Sequence, residues 1–415
     1  MESLTLFVNN KERKLFFLSV FVLFTLNLLL DFYNYKKLIK NEVSNLDGTI
    51  LNIYYKQNYN TVKIKTKDFT FFTSINKTKN LKIFDAINLY IITDKVTFIS
   101  YLKGFYAKSF DINTLDSIKK NKHKIYTYIT SQHNSNDISS LYNALYLATP
   151  LSTSMRTLAN NLGISHLIAI SGFHLSVISL VLYFIIHLIY NYIHKHFYPY
   201  RNKKYDITIA IGILLCIYLI FIDSPPSLLR ALVMFVFALF LIRNNIKIVS
   251  FETLLIISIV IISMFPNLLF SLSLWFSIIG VFYIFLFLKY FNHLNKIIQF
   301  ILFNFWLYLT INPITHYFFP TVALEQLYSP ILTVLFTLFY PLSVILHLFN
   351  MGGVFDIYIK NFNNLDIYNI EVYTPNMFFI FYILISLVSV VKKEVFIILN
   401  ISMICFNLWL FHFVF

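Results

Sequence analysis

The sequence has few charged residues. Only 13% of its 415 residues are Asp, Glu, Lys or Arg, and 58% are hydrophobic, whereas roughly a quarter of the residues of a soluble domain are charged. Glycine (8) and proline (10), which often interrupt helices, are also scarce. This composition excludes an ordinary soluble domain and indicates an integral membrane protein built mainly of α-helices.

Cysteine is almost absent, and the motifs of several enzyme classes are missing. Cys216 and Cys405 lie in separate apolar runs, so neither a disulfide framework nor a cysteine metal site is expected. The chain has no P-loop GxxxxGK followed by Ser or Thr, no HExxH and no GxSxG. Its one H-x-H, His194-Lys195-His196, is not followed by Asp-His. We therefore expect no metal, no cofactor and no enzymatic activity.

Acidic residues are outnumbered by basic ones. The chain has 33 Lys and Arg against 19 Asp and Glu, a net charge of +14. Lys, Asn, Ile, Phe and Tyr are all abundant, as an AT-rich genome would produce, and cytoplasmic loops of membrane proteins are ordinarily basic. The alternative is an anionic partner such as nucleic acid or lipid headgroups. Composition alone favours the first interpretation.

The first apolar run, residues 15–30, follows Lys11, Arg13 and Lys14. The positive-inside rule therefore places the N-terminus in the cytoplasm and the next segment outside. No small-residue cleavage site follows the run, so we expect residues 1–30 to be a retained transmembrane anchor. Residues 31–140, with 17 Lys and Arg against 9 Asp and Glu, would then form an extracytoplasmic domain.

Part of this domain has the alternation of β-strands. The stretch VKIKTKDFTFF alternates apolar and polar residues with period two. Short polar segments that resemble turns separate five such runs. The predicted strands are 49–56, 61–67, 69–75, 86–93 and 95–101. Five short strands without a clear helix predict a small β-barrel at about 47–101, of which the OB-fold is one kind.

Long apolar runs return near residue 167. We predict a polytopic α-helical membrane protein with about 9–11 transmembrane or re-entrant helices and a small extracytoplasmic β-barrel (OB-like). Residues 141–350 would form the main transmembrane domain, and 351–415 a loop with C-terminal transmembrane helices. The predicted spans are 167–193, 207–222, 228–242, 248–264, 268–288, 297–311, 327–349, 377–391 and 395–415.

Basic loops test the alternation of these spans. The loops at 195–204, 243–247 and 289–296 all fall on the cytoplasmic side. Strict counting nevertheless puts Lys392-Lys393 outside. The simplest explanation that returns Lys392-Lys393 to the cytoplasmic side is that one segment between 312 and 350 does not fully cross the membrane. NPITHYFFP, interrupted by Pro313 and Pro320, could enter the membrane and return, whereas an additional crossing segment is the alternative.

The stretch SHLIAISGFHLSVI, residues 165–178, is apolar yet contains two histidines and a Ser-Gly pair. On one helix His166 and His174 would lie two turns apart and near one face, too distant to share a metal ion. Ser171-Gly172 would mark a kink or a close approach of another helix. Each histidine either bonds to a neighbouring helix or lines a polar path, and ionisable residues at membrane depth favour the path.

The stretch DSPPSLLRALVMF, residues 223–235, predicts a helix start. Ser224 is a possible N-cap, and Pro225-Pro226 suit the first turn. Arg230 follows one turn later on an apolar helix. A helix N-terminus with an arginine can attract an anion, as in the broken helices of transporters, whereas an arginine that reaches the membrane surface is the alternative.

Other charged residues near the spans are scattered. Arg156, in LSTSMRTLANNLG, is a second candidate for an anion site, although an interfacial arginine explains it equally well. Asp223, Glu252 and Glu325 could pair with Arg156 or Arg230. Their scatter does not support a carboxylate pair for acid–base catalysis.

Three stretches together resemble the ComEC family, the DNA-uptake channels of natural competence. NNLGISHLIAISGFHLSVI (160–178) is similar to that family's G-x-x-H-L-L-A-I-S-G-x-H signature. PPSLLRALVM (225–234) is similar to its PS-x-x-RA-x-x-M element, and SLSLWFSIIGVF (271–282) loosely to a third. The matching site residues are His166, Ser171, Gly172, His174, Ser227 and Arg230.

The resemblance implies a polytopic channel in the cytoplasmic (inner) membrane that passes single-stranded DNA during natural transformation. It also implies an OB-like domain outside the membrane, which binds single strands with aromatic rings and basic residues. The residues expected to contact DNA are Tyr54, Lys63, Lys65, Lys67, Phe69 and Phe71. Other implied partners are membrane lipid, a periplasmic DNA receptor, a cytoplasmic motor or DNA-processing protein, and further copies of the chain.

Longer members of that family end in a metallo-β-lactamase-like domain. This sequence lacks the HxHxDH of that domain, so it resembles a short form, and we expect another protein to degrade the excluded strand. A small-solute transporter or exporter with a periplasmic β-domain is the alternative, although no internal repeat is visible. A membrane-embedded enzyme is disfavoured by the missing motifs.

Overall fold

A computed structural model describes residues 9–56, 58–76, 81–115, 120–243 and 250–414. The α-helices are α1 (Asn10–Leu38), α2 (Phe98–Lys103), α3 (Lys120–Thr130), α4 (Asn136–Leu147), α5 (Thr153–Asn161), α6 (Ser165–Ile168), α7 (Gly172–Phe197), α8 (Lys203–Phe221), α9 (Pro226–Arg243), α10 (Phe251–Met264), α11 (Leu272–Phe291), α12 (Lys296–Phe318), α13 (Ser329–Leu348), α14 (Asp356–Asn363), α15 (Asn376–Val388) and α16 (Lys393–His412). Short 3₁₀ helices cover Pro266–Phe270, Leu324–Tyr328 and Gly352–Phe355.

The strands form two sheets. They are β1 (Val43–Tyr55), β2 (Asn60–Lys65), β3 (Thr70–Ile75), β4 (Ala86–Ile92), β5 (Phe105–Tyr106), β6 (Ser109–Leu115), β7 (Thr321–Val322) and β8 (Ile370–Glu371). The first six make one sheet in the order β5-β3-β2-β1-β4-β6, and β7 pairs with β8. All pairs are antiparallel except β3 with β5.

The long strand β1 connects the two halves of the larger sheet. Its first part pairs with β4 and its second part with β2. Gly48 lies where the two parts meet, and a Cβ atom there would come within 2.4 Å of Ile64 Cγ2, so a larger residue would displace the core. The ends of the sheet approach each other, because Thr73 Oγ1 donates a 2.6 Å hydrogen bond to Ser109 Oγ.

Four of the five predicted strands are confirmed, with ends shifted by a few residues. The prediction of a strand at 95–101 is wrong, because α2 begins there. Thr97 and Ser100 form a reciprocal capping box that starts this helix. The sheet also continues through β6, so it covers Val43–Leu115 rather than 47–101.

The helical part begins earlier in the chain than predicted. The proposed boundary between residues 140 and 141 falls inside α4, and α1 continues eight residues beyond the predicted anchor, to Leu38. Tyr142 and Leu145 of α4 are buried with Met155 and Val177, away from the core of the sheet. Residues from α3 onward therefore pack with the helices.

The described residues contain seven helices long and apolar enough to cross a membrane. They are Asn10–Leu38, Gly172–Phe197, Lys203–Phe221, Leu272–Phe291, Lys296–Phe318, Leu324–Leu348 and Lys393–His412. Shorter apolar helices cover Ser227–Phe240, Phe251–Met264 and Asn376–Val388. The chain is therefore a polytopic, mainly helical membrane protein with a small N-terminal sheet.

The expected break at NPITHYFFP is absent from α12, which continues through Pro313 to Phe318. Proline leaves the carbonyl four residues earlier without its helical donor. Asn407 Nδ2 of α16 donates to that carbonyl, Leu309 O, at 3.0 Å. Its Oδ1 accepts a 2.7 Å hydrogen bond from Asn312, so a neighbouring helix satisfies the backbone that proline exposes.

The contacts of α13 bear on the alternation of the spans. At its start Ser329 Oγ donates to Gly163 O, and its middle packs Tyr340 against His174 in the first turn of α7. At its end Tyr128 OH donates to His347 O. All these contacts lie before α7 or in its first turn. We infer that α13 lies along one side of the bundle, and that one segment between 312 and 350 does not cross the membrane stays a prediction.

Contacts after α13 restore the alternation of the basic loops. The strand β8, before α15, pairs with β7 at the end of α12. After α15, Ser389 O accepts a 2.7 Å hydrogen bond from Tyr290 OH, next to the basic 289–296 loop. Lys392 therefore lies at the same end of the bundle as Lys289, as the positive-inside rule requires.

This arrangement predicts how four introduced cysteines will react in a variant without Cys216 and Cys405. The exposed Lys67 and Asp366 should behave alike, as should Lys204 and Lys392, because each pair lies on one side. A membrane-impermeant thiol reagent applied to intact cells should label one pair and not the other. Equal labelling of residues 366 and 392 from the same side would contradict the position of α13.

Candidate functional site

The stretch with two histidines is divided between two helices. The short helix α6 ends at Ile168, and α7 begins at Gly172 with Ser171 as its N-cap. Ser171 Oγ accepts from Phe173 N at 3.3 Å, and His174 Nδ1 accepts from Ser171 N at 3.2 Å. This is a capping box in which histidine takes the place of the usual Glu or Gln. The expectation of one kinked helix carrying His166 and His174 is wrong.

The two histidines have different surroundings. His174 is completely buried, and its ring meets that of Tyr340 edge-on at 4.7 Å. Because Nδ1 accepts the capping hydrogen bond, Nε2 carries the proton, and this atom has no hydrogen-bond partner among the described residues. His166, on α6, is exposed. Of these two histidines, only His166 therefore lies at the surface of the described residues.

The helices α7 and α9 approach each other at Gly172. A Cβ atom on Gly172 would lie 3.6 Å from Ala231 Cβ, an ordinary van der Waals contact. Space alone therefore does not demand glycine here. The contact nevertheless brings the SGFH stretch beside the PSLLRA stretch, in which Ser227 lies half-buried in the first turn of α9.

The turn before α9 caps the end of α8. Ser224 N donates to Leu219 O at 2.9 Å, and Asp223 and Ser224 have positive φ angles of 70° and 54°. This is the pattern of a Schellman motif, in which glycine usually takes the left-handed position. The prediction of Ser224 as the N-cap of α9 is therefore wrong, whereas Pro226 is the first residue of α9, as expected for proline.

Asp223 connects the sheet to the helices. Its carboxylate forms a 2.9 Å ion pair with Lys122 Nζ, and its backbone oxygen accepts a 2.7 Å hydrogen bond from Lys65 Nζ. The side chains of Lys122 and Asp223 are only 5% and 14% exposed. Lys122 also lies over the ring of Phe84, 4.5 Å from its centroid. The turn before α9 is thereby attached to β2 and α3.

Arg230 is buried, with 5% of its surface exposed. Its Nη1 donates to Ser273 O in the first turn of α11. Its Nε is buried and has no hydrogen-bond partner among the described residues. The third stretch noted in the sequence, SLSLWF, thus meets the second at this arginine, and the structure brings all three together.

The acidic residues considered as partners of the arginines lie elsewhere. Asp223 pairs with Lys122, and Glu252 lies 3.6 Å from Arg13. Glu325 belongs to the 3₁₀ helix Leu324–Tyr328. Within the described residues, no ion pair joins a carboxylate to the buried arginine of α9 or to Arg156.

Arg156 is exposed on α5, whose N-cap is Ser152. Its helix is strongly amphipathic, with Met155 and Ala159 on the buried face. This position agrees with an arginine at the surface rather than with a second buried anion site.

The sheet contradicts part of the predicted DNA contact. Phe71 is completely buried and cannot stack on a base. Phe69 is half-buried and packs its ring against Phe71 and Tyr101. The residue that faces outward is Phe72, opposite Lys63 across the β2–β3 pair. The predicted alternation of β3 is correct, but the prediction turns the wrong face of the strand outward, and this explains the error.

The predicted lysines differ in their surroundings. Lys63 Nζ lies 5.5 Å from the centroid of Phe72, and burial lowers the pKa of Lys63. Lys65 contacts Asp223, whereas Lys67 is exposed in the β2–β3 turn. Tyr54 packs its ring 6.4 Å from that of Phe72 on the same outer face. The outer face of the sheet therefore carries both positive charge and aromatic rings.

One cluster has no counterpart in the sequence predictions. His133, His347 and Asp356 are joined by hydrogen bonds, although more than 200 residues separate the first from the other two. No short motif contains them, so a pattern within the sequence could not reveal the cluster.

The residues at which the three stretches meet lie inside a region similar to a known family. Residues 148–395, more than half of the chain, match the family described as Competence protein. The chain belongs to the competence protein family. Neither the comparison with curated proteins nor that with solved structures finds a match. Family membership indicates a role in DNA uptake for transformation and agrees with the multi-pass helical fold.

Proposed function

We propose that this competence protein passes a single strand of DNA across the cytoplasmic membrane and that it acts as a channel rather than an enzyme. The observation that carries the proposal is Arg230, a buried cation with no carboxylate partner among the described residues, at the junction of α9 and α11. Burying an unpaired charge is costly, and a negatively charged substrate offsets that cost.

A phosphate-bearing strand suits such a site. Each phosphate can accept from a guanidinium, and Nε of Arg230 has a donor without a partner. Transport requires an attraction that is weak enough to release each phosphate in turn. A single arginine meets this requirement, whereas a cluster of several would hold the strand.

The sheet supports a role in receiving the strand, and we propose that it is an OB-like domain outside the membrane. Strands β1, β2 and β3 form a meander, β1 also pairs with β4, and β3 is parallel to β5. The chain then continues into β6 beside β4, which brings the two ends of the sheet together. The outer face carries Lys63, Phe72 and Tyr54, a combination that binds single strands.

This function can be tested with a strain from which the gene has been deleted and with the same strain complemented by the intact gene. We expect deletion to abolish transformation by linear DNA, while fluorescent DNA still accumulates at the cell surface or in the periplasm. This result locates the defect at the membrane step.

Normal transformation of the deletion strain would exclude DNA passage as the function and favour a solute transporter. Loss of DNA binding at the cell surface would instead assign the protein to an earlier step. Complementation at normal membrane abundance is the control that separates either result from an effect on neighbouring genes.

A further inference from the structure

Two histidine rings face each other in a second buried site. His133 follows α3, and His347 lies in the last turn of α13, with 3.0 Å between their Nε2 atoms. His133 Nδ1 lies 2.9 Å from Oδ1 of Asp356, the first residue of α14. The His133 side chain is fully buried, and His347 and Asp356 are 5% and 9% exposed.

The hydrogen-bond partners determine which nitrogens carry protons. His347 Nδ1 lies 2.7 Å from Ser343 O, and a carbonyl oxygen only accepts, so Nδ1 is a donor. The nearby Tyr146 hydroxyl donates its own proton to Ser343 Oγ and leaves this assignment unchanged. Asp356 is likewise the acceptor for His133 Nδ1.

With both Nδ1 atoms protonated, two neutral rings would direct lone pairs at each other across 3.0 Å. One additional proton turns this repulsive contact into an N–H···N hydrogen bond of ordinary length. If the proton of His133 Nδ1 lay on Asp356 instead, the total number of protons on the three residues would be the same. In either arrangement the three residues hold one proton more than an ionised Asp356 and two neutral histidines would hold.

We propose that His133, His347 and Asp356 form a proton-binding site, in which one proton is held between the two Nε2 atoms and balanced by the carboxylate. This inference is independent of DNA passage. The three residues come from the turn after α3, from α13 and from α14, so the bound proton joins these three elements.

The surroundings suit one positive charge. The ring of Tyr142 stacks on His133 at 4.5 Å with an interplanar angle of 5°, and it lies 4.6 Å from His347, which stabilises a cation. Asp356 is in the first turn of α14, where the helix dipole favours a carboxylate. The other titratable groups near the pair in the described residues are the hydroxyls of Tyr128, Tyr142 and Tyr146.

The backbone holds the two rings at this distance. A Cβ atom on Gly352 would lie 2.7 Å from His347 Nε2. Gly352 N donates to Gln132 Oε1 at 2.8 Å, and Gln132 Nε2 donates to His347 O at 3.2 Å. The rings cannot separate without disturbing these contacts, so loss of the proton destabilises the junction. Stability from this site is present at low pH and is lost as the pH rises past the point at which the pair releases its proton.

The test uses the purified full-length protein, with its melting temperature measured from about pH 5 to about pH 8, the range in which histidines titrate. His347→Gln places an uncharged amide donor near the position of Nε2. We expect the wild-type melting temperature to fall by a few degrees more across this range than that of His347→Gln. The exposed His412→Gln is the matched control and should keep the wild-type profile.

Asp356→Asn supplies a second variant, because it keeps an acceptor for His133 but removes the negative charge. The fall in melting temperature should then occur at lower pH than in the wild type. Equal pH profiles for the wild type and His347→Gln would overturn the proposal. Stabilisation of the wild type by Zn²⁺ that His347→Gln abolishes would also overturn it, since a metal ion would then occupy the place of the proton.

Acylation of the wild-type histidines by diethyl pyrocarbonate keeps the proposal testable if the variants do not fold. His133 and His347 should be protected at low pH and become reactive as the pH rises and the junction loosens. Protection that persists across the range, while the exposed His412 is acylated, would show that the contact does not depend on a proton.

Discussion

Replacing Arg230 with alanine is expected to lower transformation by roughly 30-fold to 4000-fold. The buried guanidinium has an unpartnered Nε and no carboxylate among the described residues, so a phosphate that reaches it has no fixed counter-ion to displace. Removing one partner of a buried charged hydrogen bond typically costs about 2–5 kcal/mol, and about 1.4 kcal/mol changes a rate tenfold. Transformation frequency and membrane abundance are measured in the same cells.

Two further variants distinguish transport from structure. Arg230→Lys keeps the charge but loses the planar set of donors, so it should retain part of the activity. Arg201→Ala removes an arginine that is 54% exposed and paired with Asp206, and it should transform normally. Normal abundance with normal uptake in Arg230→Ala would exclude the arginine from the site. A loss of abundance that matches the loss of transformation would show that its contact with Ser273 holds α9 to α11.

The features predicted best are those that a local pattern determines. Alternation identifies β2 and β3 because a strand has period two, and long apolar runs identify the helices. The same alternation could not decide whether Phe71 or Phe72 faces the core, because that choice depends on which side of the hairpin the rest of the sheet covers. Phe71 meets Tyr101 and Phe105 there, and Tyr101 belongs to α2, which was predicted as a strand.

Features set by distant partners could not be predicted. Ser171 and Gly172 suggested a kink, because nothing local shows that His174 will cap a new helix. Pro313 suggested a break, because its compensating donor, Asn407, is 94 residues away in the sequence. Arg230 is visible locally as a charge within an apolar run, but its contact with Ser273 depends on how α9 packs against α11.

The contact between Lys122 and Asp223 is expected to contribute most to joining the sheet to the helices. Both side chains are largely buried and 2.9 Å apart. Removing one partner of a buried ion pair leaves the other charge uncompensated, which typically costs about 3–5 kcal/mol. Lys122→Met should therefore lower the free energy of unfolding of the purified protein by about that amount, measured by denaturation, with increased hydrogen exchange in β2.

A double-mutant cycle isolates the pair. Asparagine tolerates the left-handed backbone of Asp223, so Asp223→Asn removes the charge without straining the turn. Combining it with Lys122→Met should cost less than the sum of the two single changes, because both changes remove the same interaction. Arg13→Met is the comparison: Arg13 and Glu252 are each about half exposed and 3.6 Å apart, so the cost should be at most about 1 kcal/mol. If Lys122→Met costs no more than Arg13→Met, the attachment of the sheet must rest on its other contacts, such as that of Lys65 with Asp223 O.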